Sequence, residues 1–237
     1  MSYAPREVDP QTLACAEEFW ALRLGCPVAA LQRGGLTLLA HPQQAVFVVA
    51  TSAGTVVAAP PELHRRIEAV ADLRALTDWE TLRALVPGPA RTVGAAWIGY
   101  TREPAGSTRD TQPFDSSADP ALAKLRAAVT PEEWRHGNLD ASEPPIFGCV
   151  EDGSVAAACG YQRLLDRVAH LGVVADSARR SRGAGRRAVA AALARALERG
   201  LLAQYQTLVA NTPARRIAAA LGFAHFATTL GARWGDP

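Results

Sequence analysis

Apolar positions in the first part of the chain recur at helical spacing and then at strand spacing. Leu13, Phe19, Trp20 and Leu22 follow Asp9-Pro10 and precede Gly25 and Pro27, which predicts a helix with a cap, a first-turn proline and a glycine stop. Three β-like runs come next, LTLLA from Leu36, AVFVVATS from Ala45 and TVVAA from Thr55, divided by His41-Pro42 and Ala53-Gly54. They predict an antiparallel meander. Pro60-Pro61 opens a helix through Leu63 and Ile67, a second helix covers Trp79 to Leu85, and TVGAAWIGY reads as one strand from Thr92 to Tyr100.

Residues 101–120, TREPAGSTRDTQPFDSSADP, carry almost no aliphatic side chains and read as a linker. A boundary near residue 115 follows, with an N-terminal α/β domain over 1–115 and a second domain over 116–237. Beyond it, Ala121 to Val129 and Pro131 to Asn138 are expected as short helices ahead of the helix-stopping Pro144-Pro145. The remaining pattern is strand Ile146–Val150, an Asp152-Gly153 turn, strand Val155–Tyr161, strand Val168–Ala175, an Arg/Gly loop and a helix over Gly183–Arg199. Val189, Leu193 and Leu197 give that helix its apolar stripe and Gly200 its stop. Strand Gln204–Val209, a helix opened by Asn211-Thr212-Pro213 and ended at Gly222, and strand Phe223–Leu230 complete the order.

Composition narrows the class. With 237 residues, 49% hydrophobic, 20% charged and a mean hydropathy of zero, the chain is globular. No run approaches the roughly 18 apolar residues of a membrane span, and MSYAPREVDP lacks a signal-peptide core, so a cytoplasmic protein is expected. A net charge of +2 excludes a broad basic surface, hence no nucleic acid and no membrane partner is expected. Lys124 is the sole lysine, and the arginine-rich usage reads as the codon bias of a GC-rich genome rather than a selected binding property. Cys15, Cys26, Cys149 and Cys159 show no metal-ligand spacing, so no metal is expected. The Asp-Gly turn places Cys149 opposite Ala156 and Cys159 opposite Ile146, too far apart to bridge, so the thiols are expected to be reduced.

The chemistry concentrates in VVADSARRSRGAGRR, Val173 to Arg187, where a strand runs through a glycine-bearing loop into the amphipathic helix. Gly183 and Gly185 let the backbone approach a ligand, and unpaired N–H groups at the helix start attract phosphate. Five arginines lie among the nine residues Arg179 to Arg187, so a ligand with several phosphates fits. A P-loop would need a lysine that is absent, and G-x-G-x-x-G is absent too. The plainer readings are a solvated arginine loop or a small RNA-contacting patch.

R-x-x-G-x-G at this junction, with Asn211, Ala214, Ile217 and Leu221-Gly222-Phe223 downstream, resembles the motifs of the GNAT acyltransferases, the Gcn-related N-acetyltransferases. The likeness covers roughly residues 140 to 234, and WIGY, EEW and QYQTL are similar to segments of two-domain bacterial members. It implies an α/β (α+β) fold, a mixed, mostly antiparallel sheet flanked by helices in the C-terminal half with a smaller α/β domain before it. It also implies acetyl-CoA as co-substrate and a small-molecule or protein amine as acceptor, and it leaves a homodimer open. Val173, Val174 and Ala175 would carry the pantetheine arm, and backbone groups of Arg180, Ser181, Arg182, Gly183, Ala184, Gly185 and Arg186 the pyrophosphate. Asn211 would meet the pantetheine arm or thiol end, or serve as a plain helix cap.

Two departures stand out. The family's frequent acid tyrosine falls at Ala218, and its frequent base glutamate at Leu171. His170, Glu143, Tyr161 and Tyr205 are weak substitutes, each with an ordinary packing or surface role, so the catalytic residues stay unknown. A non-catalytic acyl-CoA-binding or sensing protein is the alternative reading.

Overall fold

The computed structural model describes residues 7–92, 94–180 and 182–235. It divides into two compact units, one of which comprises Val8–Ile98, Thr207–Thr212 and residues 225–235, while the other is built on Gly99–Gln206 and Pro213–Ala224.

The N-terminal unit starts with α1 (Pro10–Leu24), capped by Asp9, whose carboxylate accepts from the Thr12 N–H, and stopped by Gly25 in the left-handed region. A short α2 (Ala29–Gln32) leads to β1 (Gly35–Ala40), β2 (Ala45–Thr51) and β3 (Gly54–Ala59). These strands are not the expected meander: β2 and β3 form an antiparallel hairpin, but β1 pairs in parallel with β3. The far edge of β2 is taken by β11 (Ala224–Trp234), so β1 has only the β3 edge to join. α3 (His64–Glu68) and α4 (Trp79–Leu85) cover one sheet face, where Val46, Val48, Val57, Ile67, Leu76, Leu82 and Leu230 form a core. On the opposite face Phe47 stacks on Trp20 of α1. The single strand expected over Thr92–Tyr100 is two, β4 (Ala90–Thr92), which pairs with β11, and β5 (Ala96–Thr101), separated by Gly94 at φ +85°.

The second unit is entered along β5. Residues 101–120 are not a free linker: β6 (Thr111–Phe114) pairs with β7 (Glu143–Glu151), and Phe114 enters the core. The signal was hidden because the β6 backbone supplies pairing while its side chains, Phe114 aside, stay outside the core. Between them lie α5 (Ala123–Ala127) and α6 (Pro131–Gly137). Thr130 and Glu133 close a reciprocal capping box on α6.

β8 (Ser154–Leu164) and β9 (Val168–Ala175) extend the antiparallel sheet from β7, and β10 (Leu202–Leu208) adds in parallel to β9. α7 (Ala184–Glu198) links β9 to β10, and α8 (Thr212–Ala220) follows β10. The result is the mixed, mostly antiparallel α/β arrangement expected from sequence. Leu122, Leu125, Trp134 and Val174 pack on one face, under α5 and α6. α7 lies on the other, where its Arg187 reaches Cys149.

One register differs from expectation. A bulge between Cys149 and Val150 shifts the hairpin, so Cys149 pairs with Ala157 and Cys159 with Phe147. Both thiols therefore share the α7 face rather than opposite faces; both are free and buried.

Candidate active site

β9 and β10 are paired from Val168 with Leu202 to Leu171 with Tyr205, and there their register ends. β9 runs on to Ala175. Which backbone groups it turns to the open side is fixed by its other neighbour. The Asp176 N–H donates to the Ala156 C=O at 2.9 Å, so by alternation Val174 and Gly172 also bond toward β8. Val173 and Ala175 then turn their N–H and C=O groups the other way, past the point where β10 has parted. Val174 differs from its neighbours: its backbone serves the sheet and its side chain lies in the core, 4% exposed.

The strand is held at this place by contact between two glycines. A Cβ on Gly172 would lie 2.0 Å from the Gly137 carbonyl oxygen, and one on Gly137 would lie 2.0 Å from Val174 Cγ2. The C-terminal end of α6 thus rests directly on β9 because neither residue has a side chain.

After Ala175, Asp176 caps a turn at Ser177–Arg179 by accepting from the Ala178 N–H. The loop ends at Gly183, φ +86°, which serves as N-cap of α7 without offering a side-chain oxygen. The first-turn N–H groups of α7 therefore meet no capping side chain. Gly185 follows on the first turn, where an added Cβ would make only ordinary contacts, 3.5 Å to Ile217 Cδ1 and 4.0 Å to Val173 Cγ2. The structure thus brings Val173, the α7 start and α8 together. Ser181 lies outside the described residues, and Asn211 falls in the N-terminal unit, exposed, one residue ahead of α8.

The arginines divide into two kinds. Arg187 turns inward: its Nη2 pairs with Glu151, and its Nε donates to Cys149 Sγ at 3.2 Å. Arg179 donates to the Glu151 carbonyl at 2.9 Å and pairs with Asp176. Arg180 pairs with Glu133 of the capping box; the Thr130 N–H first, and then Arg180, hold the Glu133 carboxyl below its ordinary range. Arg182 and Arg186 are exposed, and no ion pair engages them among the described residues. Three of the five arginines are thus committed to the protein. Their partners Glu133 and Glu151 lie far off in sequence and could not be read from the loop.

The weak acid–base candidates also find places. Tyr161 and Tyr205 are core residues, and burial raises the Tyr205 phenol well above its usual range. Glu143 is tied by Arg163 through two nitrogens, at 3.1 and 3.0 Å. Ala218 and Leu171 are buried. His170 meets Gln204, Nδ1 to Oε1 at 2.8 Å, a pairing that depends on the parallel register of β9 and β10 and so was not legible.

This strand, glycine-bearing turn and helix start lie inside residues 112–223, which match the model of the Acetyltransferase (GNAT) family. That part of the chain is a GNAT acetyltransferase domain. Solved structures similar to the chain include an acetyltransferase of the GNAT family from Colwellia psychrerythraea, at 18% identity and a TM-score of 0.49 over 75% of this chain and 76% of that one. Another is a GCN5-related N-acetyltransferase from Kribbella flavida, at 21% identity and 0.46, over 67% and 63%. A third, from Sphaerobacter thermophilus, has 12% identity and 0.46, over 96% and 70%. No curated protein matches the chain.

Proposed function

We propose that the protein is an acetyl-CoA-dependent N-acyltransferase that moves an acetyl group to a primary amine. The observation that carries this is the parting of β9 from β10 beside the outward-turned backbone of Val173 and Ala175. An extended, amide-bearing arm can add to that edge as a strand would. The same path leads to Gly183 and the α7 start, where N–H groups and the helix dipole suit a pyrophosphate. Gly185 supports the fit, because an added Cβ would meet only ordinary contacts with Ile217 and Val173, so the protein's own packing does not require a glycine there. Arg182 and Arg186 would add charge, while Arg179, Arg180 and Arg187 hold the loop in shape. Bound acetyl-CoA would supply the activated acyl group; the chain orients it and places the carbonyl for attack.

Calorimetric titration with acetyl-CoA tests the reading. Binding on the order of micromolar is expected. Gly183→Glu should abolish it, and Gly183→Asn, which tolerates a left-handed backbone, should keep the loop and most of the affinity. Undiminished binding by Gly183→Glu would overturn this placement.

A second reading, an acyl-CoA sensor, draws on Ala218 and Leu171, buried residues where many family members carry acid and base. It predicts binding with no release of free CoA thiol across a panel of amines.

A further inference from the structure

In the N-terminal unit the strands run β1-β3-β2-β11, and among the described residues β1 has a neighbour on one side only. Its pairing with β3 is unbroken from Gly35 with Gly54 to Ala40 with Ala59. The strand is also pinned at its start: a Cβ on Gly54 would lie 2.5 Å from the Arg33 carbonyl oxygen and 2.7 Å from that of Gly35. Just past its end the His41 N–H donates to the Ala59 C=O at 3.0 Å. Adjacent residues turn their backbone groups to opposite sides, so Thr37 and Leu39 bond toward β3, while Leu36, Leu38 and Ala40 turn their N–H and C=O groups outward. On that side they meet no backbone partner among the described residues. Edges of this kind are ordinarily guarded by charge, proline or shortness. β6, which ends the strand order beyond β7, is guarded so: it has four residues, one of them Pro113. β1 has six, GLTLLA, with no proline, and no Asp, Glu, Lys or Arg occurs from Gly34 to Pro61. Leu36 and Leu38 are only partly buried where they border the core under α3 and α4.

We propose that this edge joins a second copy of the chain, with β1 lying antiparallel to the partner's β1 across a two-fold axis at Leu38. Outward residues then meet outward residues: Leu38 opposes the partner's Leu38, and Leu36 opposes the partner's Ala40. Each such pair exchanges two hydrogen bonds, six over the three pairs. Side-chain alternation keeps Leu36 and Leu38 of both copies on the α3 and α4 side, so each core gains at its rim the apolar neighbour it lacks. Antiparallel pairing also sets the two Arg33 side chains at opposite ends of the ladder, whereas parallel pairing would place like charges together. A foreign strand must match an uncharged six-residue edge, and a second copy does so by construction. Such a ladder is about 20 Å long and falls short of the ~1,200–2,000 Å² of a standard interface. A micromolar dimer in equilibrium with monomer is therefore expected.

Sedimentation equilibrium of the full chain from about 1 to about 300 μM, a range that brackets a micromolar Kd, reads the association. Amide exchange at both ends of the range, resolved to single residues by fragmentation mass spectrometry, reads the edge. The mass should rise from 25.1 kDa toward twice that value. The Leu36, Leu38 and Ala40 amides should slow several-fold with concentration, while those of Thr37 and Leu39, bonded to β3, stay slow throughout. Ala40→Pro removes an N–H that β3 does not use, so this variant should keep its urea midpoint and remain monomeric. Ala40→Lys, which puts a charge on an exposed position, should do the same. If the proline variant fails to fold, Ala40→Lys and the wild-type exchange pattern decide. A monomer across the whole range would overturn the proposal. So would a dimer that both variants keep, or one whose Leu36, Leu38 and Ala40 amides stay fast, since either puts the contact on another surface. Edge amides already slow in the dilute monomer would overturn it as well.

Discussion

Two glycines near the strand opening serve different masters, and alanine at each should separate them. At Gly172 the new methyl would sit 2.0 Å from the Gly137 oxygen and 2.9 Å from its carbon, and both are backbone atoms that cannot rotate away. Either α6 lifts from β9 or the strand bends, an overpacking loss of about 1–3 kcal/mol. At a urea slope of ~2 kcal/mol/M, the unfolding midpoint should fall by roughly 0.5–1.5 M. At Gly185 the methyl meets side-chain carbons at 3.5 and 4.0 Å, ordinary contacts. Removing a helical glycine there should leave stability unchanged or raise it by up to about 1 kcal/mol. Yet that methyl would stand where the ligand backbone is proposed to approach, so acetyl-CoA affinity should fall by on the order of tenfold or more, about 1.4 kcal/mol per decade. Urea denaturation and calorimetry on both variants check this. Gly172→Ala within about 0.5 kcal/mol of wild type, a surface-like effect, or Gly185→Ala binding acetyl-CoA as wild type does, would refute the reasoning.

Arg187→Met keeps the aliphatic stem but removes the partner of Glu151 and the donor to Cys149, at a pair whose side chains are 21% and 18% exposed. A loss of about 1–3 kcal/mol is expected in urea denaturation, and an unchanged midpoint would show that the pair holds nothing. Asp140 accepts from the Ser117 hydroxyl at 2.7 Å and the Trp134 Nε1–H at 3.0 Å, and faces Arg126 at 3.7 Å. The Ser117 bond first, then that of Trp134 and the Arg126 charge, lower its carboxyl below the usual range. A lowered folded value means stability present above the unfolded pKa of ~3.9 and lost as pH falls through the folded one. Asp140→Asn should therefore flatten the acid limb of a stability–pH curve, and an unaltered limb would assign it to other carboxylates.

Helix ends were legible because their chemistry is local: Asp9, Pro10 and Gly25 bound α1, and Gly183 opens α7, as the pattern implies. Partners across the sheet were not. The β1–β3 pairing depends on β11, which arrives some 170 residues later and occupies the β2 edge, as the Ala45–Arg233 pairing shows. β6 was hidden in a stretch read as linker. The bulge at Cys149 moved the register by one residue, enough to bring both buried thiols to one face. At the site, the glycines and the strand were readable. The five arginines misled as a group, since charge density in sequence cannot tell an arginine bound to Glu151 from one facing solvent.

The missing acid and the missing base are not equal losses. For the proposed reaction the leaving group is a thiol, whose ordinary pKa of ~8.5 lies within about two units of neutrality, so a thiolate can depart without a donor. The closed, fully buried Ala218 position is therefore tolerable. The nucleophile is harder to dispense with: an amine of pKa ~10.4 is neutral in only about one molecule in 2,500 at pH 7, and one of its N–H protons must leave as the tetrahedral adduct forms and collapses. Pressure on such a site falls on the base side.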